Sequence, residues 1–459
     1  MTFRGILRGV GKALKWGIIT LALIYGALFA INAVDEDLSP EAKTLMVLPQ
    51  IKEDPDNGYL ALVGLNAPAN EDIFIYGKQW VDTFNAANDA TSLEKANARF
   101  KYSKPQFRGD EKLLCNPSRT PCLPEARKKA DLWRKLNADN EMLHARQQRL
   151  ISFTHFEESY FPSSPGAPMP SFSSPQRLLE LDLIALDAVE GRLVPALAAL
   201  EARIAFDRRA LLGSRSLLMG LVACNWLGQD YALLAEMVAT RSPVLMSQKA
   251  RLARMTDPLD TEQMRALICR QVEGEKRMLS RWMLDKQTAG AICSYYMQGP
   301  VDMPGQFFRP HASQNLLARN HNALQARIRE FSPERSEAWI AKAQQDDQRE
   351  DDVTIHSWRF LYNPIGKIAV TRETRFQYEA YILKHYNLVG ITRLARLQTE
   401  VVTERTAVEE IPARIAADKA LFDPYTSKPM GWDAGKRQLY FDAHGNVPPE
   451  KPKRMYAGI

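Results

Sequence analysis

The sequence predicts a mainly α-helical protein: an N-terminal transmembrane helix, a helical-bundle or helical-hairpin body beyond it, and a small β-hairpin near the C-terminus. Three observations carry this expectation. Trp16 to Val34 holds no charged residue, apolar residues recur at helical spacing through most of the remainder, and residues 431–441 alternate between turn and strand character. With 459 residues, 45% hydrophobic and 25% charged, the chain has the composition of a globular protein of two or three packed units. A mean hydropathy of −0.32 excludes a polytopic membrane protein but leaves room for one span.

Residues 1–15 form a basic leader with Arg4, Arg8, Lys12 and Lys15 and no acidic residue. Residues 16–34 form the apolar segment, and nineteen helical residues rise about 28 Å, close to the thickness of a hydrocarbon core. Asp35, Glu36 and Asp37 follow. Cations before the span and carboxylates after it predict a cytoplasmic N-terminus, with the bulk of the chain in the periplasm of a bacterial inner membrane. A cleaved signal peptide has a shorter apolar region and an A-x-A-like site, and the best candidate here, Ile31-Asn32-Ala33, is poor, so the segment reads as an uncleaved anchor. No cysteine precedes Cys115, which excludes a lipoprotein. Of the net +6, four charges sit on the leader, leaving +2 for residues 35–459. The basic excess is therefore mostly an orientation signal, and no nucleic-acid partner is expected. Ala22, Gly26 and Ala30 make a small-residue stripe that would let two spans pack closely as a homodimer.

Residues 35–160 read as an exported helical region. Cys115 and Cys122 bracket a Pro-punctuated loop of six residues, which suits a disulfide in an oxidising compartment. Cys224, Cys269 and Cys293 lie in apolar, helix-like runs and read as buried small hydrophobes, their pairing being open. Residues 161–176, with their prolines and serines, read as a linker or long loop. Residues 177–345 read as helical hairpins, with breaks at Gly191 and Gly228, and further interruptions at Gly299-Pro300 and Pro304-Gly305. The acidic run from Asp346 to Asp352 reads as a solvated loop opening a segment that extends to residue 421 and contains a basic amphipathic helix from Phe376 to Leu397. Residues 422–459 hold a turn and a hairpin, with Trp432 on one arm and Leu439 to Phe441 on the other.

Asn363, Pro364 and Gly366, then Asp423, Pro424, Tyr425, Thr426, Lys428 and Pro429 ahead of the hairpin, resemble the ending of a set of uncharacterised bacterial single-pass membrane-anchored proteins. Ser427 stands where that ending usually has Gly. The resemblance covers about a quarter of the chain and implies membrane anchoring without implying an activity. The ending is also similar in outline to the C-terminal part of type II secretion pseudopilins, but the processed Gly and the acidic residue that begin their membrane helix are not evident here.

No nucleophile elbow, zinc-protease motif, phosphate loop or dinucleotide fingerprint is present in the sequence. No catalytic, cofactor-binding or metal-ligating residue is assigned, and no cofactor is expected. The cluster most able to act as an acid-base or ligand set is His155 with Glu157 and Glu158, whose simpler reading is a solvated helix end. The leading expectation is an interaction or assembly component of the cell envelope, with the inner membrane and other envelope proteins as partners. The alternatives are an envelope hydrolase with a carboxylate-based site and a periplasmic ligand- or lipid-binding protein.

Overall fold

The computed structural model describes residues 3–51, 54–87, 89–100, 107–162, 167–170, 172, 175–283, 307–351, 358–374, 378–444 and 453–459. Cys293, the Gly299-Pro300 and Pro304-Gly305 interruptions, Asp352 and part of the Pro/Ser stretch lie outside these residues. The protein is mainly α-helical, with a small three-stranded antiparallel sheet near the C-terminus. The chain forms two compact units, each discontinuous in sequence. The first comprises Met1–Leu48, Lys276–Leu324 and Ala341–Phe376, and the second comprises Pro49–Glu275, Gln325–Ile340 and Gln377–Ile459.

The first unit carries the N-terminal helix, Phe3–Ile31, in which basic leader and apolar segment are continuous. Its part from Gly11 to Ile31 is 21 residues long with a mean hydropathy of 1.9, and none of it is buried. A core helix of a water-soluble protein with that composition would be covered by its neighbours. This one is long and apolar enough to cross a membrane, and its surface matches that solvent. Beyond it, the short helix Pro40–Met46, N-capped by Ser39, buries Ala42 and Leu45 against Leu279, Met283, Phe308, Leu317 and Ile365. The acidic run read as a loop is helical as far as Asp351, closing the helix Ser336–Asp351. Asp and Glu disfavour a helix interior only weakly, and a helix begun at Ser336 propagates through them.

In the second unit, helices Pro175–Val189 and Leu193–Gly213 form the expected hairpin, turning at Gly191, whose φ of +85° few other residues adopt. Gly228 does not break the chain as expected. It lies inside the continuous helix Leu217–Ala239, because the cost of an interior glycine, about 1 kcal/mol, is small beside the burial of Leu227, Tyr231, Leu233 and Leu234. The Pro/Ser stretch joins two parts of this same unit, and in its described part the Pro168 carbonyl accepts the Tyr160 hydroxyl at 2.9 Å.

The helix Tyr378–Thr403 was expected to be basic and amphipathic. It is instead buried around most of its circumference, through Tyr381, Ile382, Leu388, Val389, Leu394, Leu397 and Val401. Its arginines reach out along the rim to backbone carbonyls, Arg393 to Phe422 at 2.9 Å and Arg396 to Ala253 at 3.1 Å. The sheet packs on this helix. Strands β1 (Gly431–Asp433) and β2 (Gln438–Ala443) make the expected hairpin with Trp432 opposite Leu439, and β2 alternates strictly, burying Leu439, Phe441 and Ala443. A third strand, β3 (Lys453–Gly458), pairs with β2 and was not expected.

Candidate functional site

The apolar helix ends in a socket built by the first unit. Asn32 is wholly buried, donating its side-chain amide to the Leu361 carbonyl at 2.7 Å and accepting the Asn363 amide at 2.7 Å. The Asp35 carboxylate accepts the amides of His311 at 3.0 Å and Ala312 at 3.1 Å. Those amides open the helix Pro310–Glu330, so a residue just past the apolar segment caps a distant helix and meets the positive end of its dipole. Asn315 ties in the rest, donating to the Glu36 carboxylate and the Asp37 carbonyl at 2.9 Å each and accepting the Ser39 amide at 2.8 Å. Burial, with the Glu36 and Asp35 charges beside it, pushes the Tyr362 hydroxyl up to about 12.

The Asn363-Pro364-x-Gly366 turn forms the socket floor. Asn363 sits at φ +50°, and its side chain accepts from the Arg309 and Gly366 amides at 2.9 and 3.2 Å while donating to Ser313 Oγ at 2.9 Å. A Cβ at Gly366 would stand 1.9 Å from Ser313 Oγ, so only glycine fits. Replacing Asn32 with alanine strands the buried Asn363 amide and is expected to destabilise the first unit by about 1–3 kcal/mol, read as a lower urea midpoint for protease cleavage near residue 32. Ala22, Gly26 and Ala30 are exposed on the apolar helix.

His155, Glu157 and Glu158 do not converge on one point. His155 Nε2 lies 3.8 Å from Glu157, which also pairs with Arg215. Glu158 is buried and turned the other way. It accepts the amides of Arg215 and Ser216 at 2.6 and 2.7 Å and the Ser216 hydroxyl at 2.6 Å, holding in place Ser216, the N-cap of the helix Leu217–Ala239. Burial raises its carboxyl, against those hydrogen bonds.

Sequence reasoning missed a buried charge cluster of the second unit. Arg177 is 5% exposed; its guanidinium donates to Asp207 at 2.5 and 3.2 Å, to Asp230 at 2.9 Å and to the Trp226 carbonyl at 3.1 Å, and lies over the Trp226 ring. Arg203 stands 3.5 Å from Asp230. Two cations and two carboxylates thus neutralise each other where the helices Pro175–Val189, Leu193–Gly213 and Leu217–Ala239 meet. Burial pushes the Asp207 carboxyl up, against the pull of Arg177. A cavity of about 20 Å³ beside Arg177, lined also by Gln147, Gln176 and Phe206, has room for about one water. The sequence signal was four charges set within apolar helical runs, a pattern also produced by an exposed face.

Near this cluster His144 pairs with the buried Glu180, which also accepts from Gln148 at 2.7 Å. The hydrogen bond to Glu180 raises the His144 imidazole above its usual value, overcoming its partial burial. The pair therefore stabilises the folded state fully below the unfolded histidine value of about 6.5, and that contribution fades as pH rises through the raised folded value. Replacing His144 with glutamine is expected to flatten the fall in urea midpoint between acidic and mildly alkaline pH.

Cys115 and Cys122 are joined by a disulfide, as expected from their spacing, and both are buried. Cys224 and Cys269 are free thiols, both raised by burial. Two carboxylates flank the disulfide. Asp182, wholly buried, accepts the Cys115 amide at 3.2 Å, and burial pushes its carboxyl up to about 8. Glu236 accepts the Cys122 and Leu123 amides at 2.9 Å each, capping the helix Cys122–Asp139. No family model, curated protein or solved structure matches the chain.

Proposed function

We propose that the protein is a single-pass protein of a bacterial inner membrane, with a cytoplasmic N-terminus and a helical body in the periplasm that serves as an interaction or assembly component of the cell envelope. The observation that carries this reading is the socket around Asn32 and Asp35: residues directly after the apolar helix are structural parts of the first unit, so the unit is built to keep that helix. The basic leader before the span and the carboxylates after it support the orientation. The Cys115–Cys122 disulfide supports an oxidising compartment. The resemblance of the C-terminal ending to membrane-anchored proteins points the same way.

An assembly role is favoured over catalysis by how the charges are spent. Glu158 holds the N-cap Ser216 of a helix, and Arg177, Asp207 and Asp230 hold three helices together, which leaves these groups committed to packing. A reporter active only outside the cytoplasm, fused after residue 40, is expected to be active, while a fusion after residue 12 is expected to be silent. Activity in the second fusion and silence in the first would reverse the topology. In-cell crosslinking is expected to join the body to other envelope proteins, and recovery of the uncrosslinked chain alone would remove the assembly role.

A further inference from the structure

We propose that the Cys115–Cys122 loop is a redox-gated metal site: when the disulfide is reduced, the two thiolates and Asp182 bind one zinc-like divalent cation, which then closes the loop in place of the S–S bond. Three observations converge. Cys115 Sγ, Cys122 Sγ and an Asp182 carboxylate oxygen all lie within 4.8 Å of one another, the one such grouping among the described residues, and all three residues are buried. The Thr120 carbonyl oxygen lies 3.4 Å from Cys115 Sγ and 3.5 Å from Cys122 Sγ, placing a fourth donor beside them. Asp182 itself is wholly buried; it accepts the Cys115 amide and feels the charge of Lys129, a side chain already paired with Glu125 at 3.0 Å. A buried carboxyl beside two sulfurs adds a hard oxygen donor to two soft ones, a mixed set of the kind that holds zinc.

The donor set is two soft sulfurs and two oxygens, which selects a borderline ion such as zinc over calcium or magnesium, whose sites are all oxygen. The site has an outer shell as well. Glu236 holds the Cys122 and Leu123 amides at 2.9 Å, so the Cys122 end stays in place when the S–S bond opens. The chemistry balances with a trialkylphosphine as reductant: phosphine, cystine and one water give two thiols and the phosphine oxide. Metal binding then releases both thiol protons, together with the proton of the Asp182 carboxyl, and leaves a site of two thiolates, one carboxylate and one divalent cation.

Cobalt(II), which reports thiolate ligation by its colour, is the probe. Full-length protein in detergent is reduced with a trialkylphosphine and titrated with cobalt(II), with the oxidised protein as control; that control keeps Cys224, Cys269 and Cys293, so it isolates the contribution of Cys115 and Cys122. One equivalent of cobalt(II) is expected to produce thiolate-to-cobalt charge-transfer absorption in the reduced protein and none in the oxidised protein, and zinc is expected to displace it. Asp182→Asn is expected to weaken cobalt binding at least tenfold while the oxidised variant keeps the wild-type circular dichroism. The inference is overturned by equal absorption in the oxidised protein, by no absorption in the reduced protein, or by unchanged affinity in Asp182→Asn. If Asp182→Asn loses its fold, Asp182→Glu replaces it, keeping the carboxylate but displacing it, with the same tenfold loss expected and unchanged affinity again overturning the inference.

Discussion

Replacing Arg177 with methionine is expected to destabilise the second unit by about 3–5 kcal/mol, the cost of leaving buried carboxylates without their cation. The guanidinium bridges Asp207 and Asp230, and both are wholly buried. Methionine fills much of the same volume, so the loss reports charge more than packing. Urea unfolding followed by circular dichroism gives the value. Arg177→Met combined with Asp207→Leu restores neutrality, leaving Arg203 opposite Asp230, and is expected to recover a large part of the loss. A single replacement costing under about 1 kcal/mol, well short of the loss that breaking a buried pair brings, would show that the cluster does not hold the three helices.

The second large effect concerns the disulfide. Cys115 and Cys122 are seven residues apart, and closing so short a loop restricts the unfolded chain by about 2.5 kcal/mol in the loop-entropy account. Reduction in the presence of a chelator, so that no cation replaces the bond, is expected to lower stability by about that amount. Cys122 opens the helix Cys122–Asp139, and Glu236 continues to cap it, so the helix itself is expected to persist. Helical circular dichroism should stay nearly constant in native buffer while the urea midpoint falls. An unchanged midpoint would mean that neighbouring contacts alone hold the loop.

Legibility in the sequence followed the range of the interactions. The apolar helix, the Cys115–Cys122 pair and the β1–β2 hairpin were legible because each is written in a short stretch: an uncharged run, a six-residue spacer, and alternation next to a turn. Strand β3 was not, since the Pro-rich residues before it give no strand signal and its partner β2 supplies the reason to extend. Gly228 misled because a local helix breaker was overruled by burial along the whole Leu217–Ala239 helix. The socket was hidden for a different reason. Asn32 read only as part of a weak cleavage site, and nothing local links it to Asn363, 331 residues away. Arg177, Arg203, Asp207 and Asp230 likewise have the composition of an exposed face until three helices bring them together.

The socket makes a retained anchor the central claim. The most direct test is the intact mass of the protein extracted from membranes by detergent, together with sequencing of its first residues. Retention predicts a single species that keeps the leader and apolar helix through Ile31, resists alkaline extraction, and has the 51.9 kDa mass of the chain. A soluble species whose first residue falls at or just after Ala33 would contradict it, because Asn32 would then be gone from the socket that its burial builds.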